Sequence, residues 1–131
     1  LNEKRAGEAG IKFTVHEEHF SANDRAVACG AAQGKIKLVL GKGDKPLGVQ
    51  IAGPGAGELL AEWVTALNGK LGLSTIAQAV HPYPTLAEIN KRAASGPLSR
   101  KLFSDKVKKG LHFLFQYKGR ACGQEPEAGG Q

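Results

Sequence analysis

KIKLVLGKGDKPLGVQIA, residues 35–52, alternates in two halves around a turn. Ile36, Leu38 and Leu40 occupy every second place, GKGDKP breaks the run, and Leu47, Val49 and Ile51 alternate in reply. Two such runs joined by so short a connection must pair antiparallel, so the stretch predicts a hairpin. After GPGAG, residues 53–57, the period changes: Leu59, Leu60, Trp63, Val64 and Leu67 fall on one face of a helix that ends at Asn68-Gly69, with Glu58 and Glu62 opposite. A hairpin feeding an amphipathic helix is the nucleus around which the flanking segments arrange.

Upstream, Ile11, Phe13 and Val15 alternate with Lys12, Thr14 and His16 and predict a third strand. SANDRAVACG, residues 21–30, offers Asn23 or Asp24 as a cap, a run of small residues and a glycine stop, which is one short helix. The first ten residues are polar and read as a frayed segment or a short helix cut from something longer, since no methionine opens the chain. Downstream, a short helix is expected over residues 74–80 with Ser74 as its cap, and another over 85–94 that stops at Ser95-Gly96-Pro97. Val107, Leu111, Leu114 and Phe115 mark a last amphipathic helix interrupted by Gly110, and the glycine-rich tail from Lys118 is expected to be disordered. Strands followed by helices imply an α+β domain, an antiparallel sheet with helices packed on one face. The expected division is a domain over 1–98 with its core in 10–95, a basic helical extension over 99–118 and a flexible tail over 119–131.

At 131 residues the chain is one domain's worth, and 41% hydrophobic with 23% charged residues is ordinary for a soluble protein. No run approaches the roughly 20 apolar residues that cross a bilayer, and the first residues carry no signal-peptide pattern, so a cytoplasmic location is expected. Cys29 and Cys122 match no disulfide or zinc spacing. The net charge of +6 is uneven: residues 1–90 hold nine basic and nine acidic side chains, whereas 91–120 hold nine basic ones against Asp105 alone. The positive charge therefore acts near the C-terminus.

GPGAGE, residues 53–58, sits where a dinucleotide-binding loop would, but Glu58 stands in place of the third glycine and the flanking strands form a hairpin, not a βαβ unit. It reads as a tight turn. HEEH, residues 16–19, suggests a metal site until strand geometry is applied, since alternate residues point to opposite faces and four ligands cannot converge. The basic segment from Arg100 to Arg120 lacks the patterns of nucleic-acid modules. LHFLF beside lysines would suit a membrane surface, but a helix packed on a partner with its lysines in water is preferred.

HPYPTLAE, residues 81–88, carries more. Thr85 and Glu88 have capping-box spacing, worth about 1 kcal/mol to the helix start. Pro82 and Pro84 fix their own φ and push His81 and Tyr83 toward extended geometry, which would aim imidazole and phenol to one side about 7 Å apart. A stiff display of two such groups before a helix N-terminus points to a functional loop.

In order, SANDRAVACG, GKIKLVLGKGDKPLGVQIAGPGAGELLAEW and HPYPTLAEINKRAA resemble the C-terminal dimerisation domain of the pyridine nucleotide-disulfide oxidoreductases, which include dihydrolipoamide dehydrogenase, glutathione reductase and mercuric reductase. The resemblance covers residues 10–95. It implies a fragment of a flavoprotein whose FAD domain, with a redox-active cysteine pair, and NAD(P) domain lie elsewhere, so no cofactor or metal ligand is assigned to this chain. It implies a homodimer in which this loop enters the partner's active site. The lipoamide and glutathione reductase branches have His-Pro-Thr followed by glutamate. Here Tyr83 precedes Pro84-Thr85, Glu88 keeps the glutamate place and His81 lies two residues upstream. The implied roles are Tyr83 as hydrogen-bond donor or ligand, Glu88 as its orienter or a cap, and His81 as a further acid/base candidate. A tyrosine at this place is shared with mercuric reductases, whose C-terminal cysteine pair is represented here by Cys122 alone, a candidate thiol relay. The alternative to this reading is a non-catalytic module that binds an acidic partner or membrane through the basic C-terminal helix. An independent enzyme finds no nucleophile, base and orienter set in the sequence.

Overall fold

The computed structural model describes residues 1–104 and 107–110. Three strands, β1 (Thr14–His19), β2 (Lys35–Leu40) and β3 (Pro46–Ala52), form one antiparallel sheet in the order β1-β2-β3. The predicted hairpin is present: Ile36 faces Ile51 and Leu38 faces Val49, with a register shift between Val39 and Leu40 where Leu40 meets Pro46. Its turn closes through Gly41 N–H donating to Lys45 O at 2.8 Å. Gly43 at φ 77 sits in the left-handed region, which a glycine enters without steric cost.

Four helices cover one face of the sheet. They are α2 (Asp24–Ala28), α3 (Ala56–Asn68), α4 (Leu73–Gln78) and α5 (Glu88–Leu102). Ile36, Leu38 and Leu40 project toward Leu59, Trp63 and Ala66 of α3, Leu73 and Ile76 of α4, and Ile89, Ala93 and Ala94 of α5, with Phe20 and Ala26 completing the cluster. Burying a side chain of this size is worth about 1.5–3 kcal/mol, so this cluster is the main source of stability. A fifth helix, α1 (Glu3–Glu8), lies over the other face. Lys37, which points away from the main core, reaches Glu3 of α1 at 2.6 Å and Glu17 of β1 at 3.3 Å. Gly48 passes so close under Leu1 that a Cβ there would collide with its backbone. The opening residues are thus a capped helix, with Asn2 Oδ1 accepting from Arg5 N–H.

Several expectations are corrected in detail. β1 starts at Thr14, and Ile11 is instead tied to the end of α1 through Ala6 O. The buried stripe of α3 is Leu59, Trp63 and Ala66, leaving Leu60 and Val64 substantially exposed, because the helix rotates its indole under the sheet. Gly72, not Ser74, is the N-cap of α4, and it supplies no side-chain cap. α5 runs through Ser95-Gly96-Pro97 to Leu102. An interior proline costs about 3 kcal/mol, but Ile89, Ala93 and Pro97 continue one buried i, i+4 row, and Leu98 packs against the same core. Packing along that row outweighs the local break.

Leu1–Arg100 is one compact unit. Beyond it, residues 107–110 are helical, while the expected amphipathic run from Leu111, the tail and Cys122 lie outside the described residues. Among those described, no helix is long and apolar enough to cross a membrane.

Candidate functional site

The connection from α4 to α5 contains His81, Pro82, Tyr83 and Pro84, with a cis Tyr83–Pro84 peptide bond. Its two candidate side chains, His81 and Tyr83, part company. His81 turns inward until 6% of its side chain is exposed, and its Nε2 lies 3.0 and 3.2 Å from the two carboxylate oxygens of Glu62 on α3. Its Nδ1 lies 3.1 Å from Ala79 O. Both nitrogens face acceptors within the chain.

Glu62 is itself held from below. Asn90 of α5 donates through Nδ2 to Glu62 Oε2 at 2.7 Å and to Leu59 O at 3.0 Å, while its Oδ1 accepts from Trp63 Nε1 at 2.8 Å. Trp63 and Asn90 are buried, so this chain runs from the core to the loop.

Tyr83 goes the other way. It is 71% exposed, and its hydroxyl donates to Asp24 Oδ2 at 3.0 Å. That bond, then the negative charge of Asp24 and more weakly Glu88, hold the phenol above its ordinary value of 10, so it stays a donor. The orienter of Tyr83 is therefore Asp24 at the start of α2. Glu88 takes the other of its two expected roles: its Oε2 accepts from Thr85 N–H at 3.2 Å. The capping box is half formed, because Thr85 Oγ1 donates to Pro82 O at 2.7 Å instead of accepting from α5. Asn23 joins the two ends of the site, capping α2 through Ala26 N–H at 2.9 Å and donating to Thr85 O at 3.1 Å.

His81 and Tyr83 do not share one side as extended spacing suggested; their partners lie on α3 and α2. Sequence reasoning missed Glu62, Asn90 and Asp24. Glu62 was legible only as an outward helix position, and Asp24 only as a cap, because neither contact is local.

HEEH divides as strand geometry requires. Glu17 pairs with Lys35 at 2.8 Å, while Glu18 meets Arg92 of α5 at 3.1 Å. His16 lies against α5, where a Cβ on Gly96 would run into its imidazole. Arg100 donates to its Nδ1 at 3.1 Å, and its buried Nε2 has no hydrogen-bond partner among the described residues. Burial, then the Arg100 charge, push its pKa below the ordinary 6.5 against the opposing pull of Glu18. At the other end of the sheet, GPGAG is a turn: Gly53, at φ 154, lies against the Phe20 ring, and Gly55, at φ 62, is the N-cap of α3. Cys29 is an exposed free thiol.

The fold and loop define a class. The pyridine nucleotide-disulphide oxidoreductase dimerisation domain matches residues 1–94, and the chain belongs to that family. Among its relatives, mitochondrial dihydrolipoyl dehydrogenase 2 of Arabidopsis thaliana is 40% identical over 93 residues, 70% of this chain and 18% of that protein. Dihydrolipoyl dehydrogenase of Thermus scotoductus is 43% identical over 89 residues, 67% of this chain and 19% of the relative. A HOCl-induced flavoprotein disulfide reductase from Escherichia coli, solved as a Cu(II) complex, superposes with a TM-score of 0.67 at 19% identity, over 72% of this chain and 22% of that one. The chain thus spans about a fifth of the length of the relatives it matches. The match includes α1, ahead of the stretch over which the resemblance was legible.

Proposed function

We propose that this chain is the dimerisation part of an FAD-dependent, NAD(P)-linked disulfide oxidoreductase and that its loop 81–88 serves the active site of the second subunit. Tyr83 is the residue presented there, as a hydrogen-bond donor to a dithiol, a disulfide or a soft metal ion bound by the redox-active cysteines. Asp24 sets the phenol's direction and keeps it protonated, Glu88 fixes the loop's exit into α5, and His81 secures its entry. The acid/base reading of His81 is less favoured, since both its nitrogens are engaged within its own chain.

The observation that carries this reading is the exposure of Tyr83, at 71%, in a loop whose other polar side chains are tied down. An aromatic residue left outside while its neighbours are anchored suits contact with another chain. Membership of the dimerisation-domain family supports placing the FAD domain, the NAD(P) domain and the cysteine pair in the same parent enzyme. In the full-length enzyme, Tyr83→Phe is expected to lower turnover by roughly 10²-fold, the usual contribution of one positioned proton donor, while the dimer persists in sedimentation. Unchanged turnover would make the phenol structural.

A further inference from the structure

The tyrosine loop contains two prolines and few hydrogen bonds of its own, yet one of its side chains is bound to a carboxylate that does not belong to the loop. Glu62 is on α3, 19 residues before His81. It receives His81 Nε2 on both oxygens, at 3.0 and 3.2 Å, and Asn90 Nδ2 on Oε2 at 2.7 Å. Asn90 in turn accepts from the buried Trp63 indole at 2.8 Å. The carboxylate is fixed from the core side and meets the loop on the other.

We propose that Glu62 is a positioning residue for the Tyr83 loop, acting through His81. The inference deepens the functional reading above and rests on it for its consequence in catalysis. The physical case rests on which ends of the chain of bonds can move. Trp63 and Asn90 are fully enclosed by α3, α5 and the sheet, so their orientation is set by packing. Two donors on one carboxylate leave Glu62 little rotamer freedom, and charge-assisted bonds of this kind are the stronger ones. His81 is consequently held against Glu62 through Nε2, with Nδ1 3.1 Å from Ala79 O. Two residues further on, Tyr83 has, among the described residues, a single side-chain bond, to exposed Asp24. A single exposed bond is a weak restraint, so the direction of the phenol depends on the His81 contact before it as well as on Asp24. Glu88 controls only the other end, through Thr85 N–H.

The test is a double-substitution cycle on the full chain, read by nitrogen-15 relaxation at the Tyr83 amide. The wild type is expected to show an order parameter near the rigid value of about 0.85, and Glu62→Gln and His81→Asn each to lower it toward about 0.6. Because both break the same link, the double variant should be no more mobile than either single one. The Trp63 indole N–H resonance checks that α3 remains docked. Should Glu62→Gln fail to fold, His81→Asn alone still decides whether the imidazole restrains Tyr83. An unchanged Tyr83 order parameter, or mobility that adds in the double variant, overturns the proposal. In the full-length enzyme the same Glu62→Gln should lower kcat with little effect on KM. A loop that loosens while kcat stays constant would sink the catalytic reading and leave the positioning role intact.

Discussion

Tyr83 holds its proton because Asp24 sits 3.0 Å from its hydroxyl, and a second negative charge on Glu88 adds to the effect. The folded phenol is raised above 10, so the bond contributes fully below about pH 10 and is lost as pH rises through the folded value. Ultraviolet titration in a Tyr117→Phe background should find Tyr83 ionising above the ordinary phenol value, and Asp24→Asn should bring it back. A Tyr83 titration indifferent to Asp24→Asn would contradict the hydrogen bond. The sequence contained the loop's punctuation, two prolines and a capping pair, and these did predict an ordered segment entering a helix. It did not contain the partners. Asp24 lies 59 residues away from Tyr83 and Glu62 19 away from His81, and no local rule links positions so separated.

Among the elements, the hairpin and α3 were legible because alternation and a helical stripe are local consequences of burial on one face. The extent of α5 was not. Gly96 and Pro97 are local stop signals, and the helix passes them because Pro97 and Leu98 remain on the core side and Gly96 admits the His16 ring. That contact has its own pH signature. His16 is faced by Arg100 from α5 and by Glu18 from its own strand, and its folded pKa lies below 6.5. A depressed base contributes stability that is whole above about 6.5 and is lost as pH falls toward the folded value. Between pH 7.5 and 5.5, urea unfolding of the wild type should therefore lose more stability than that of His16→Gln. Equal losses would show that the imidazole does not resist protonation in the folded state.

For the whole molecule, every described residue of the main core lies between Phe20 and Ala94, inside the compact unit Leu1–Arg100. A chain ending at Arg100 keeps that described core whole and should unfold within about 0.5 kcal/mol of the full chain in urea, the range of changes made away from a core. A larger loss would give the basic C-terminal residues a structural role. The uneven charge remains a property of the sequence after residue 90, where a binding role would show as attachment to anionic surfaces that disappears with salt.

If the loop of one subunit works in the site of the other, mixed dimers will reveal it. Two full-length enzymes, one slowed by Tyr83→Phe and the other lacking the redox-active cysteines, are dissociated together and reassociated. If the sites are shared, each mixed dimer regains one complete site, and two-fold symmetry with statistical mixing returns about a quarter of the wild-type activity. No recovery, with mixed dimers demonstrably present, would place Tyr83 in the service of its own subunit and contradict the account.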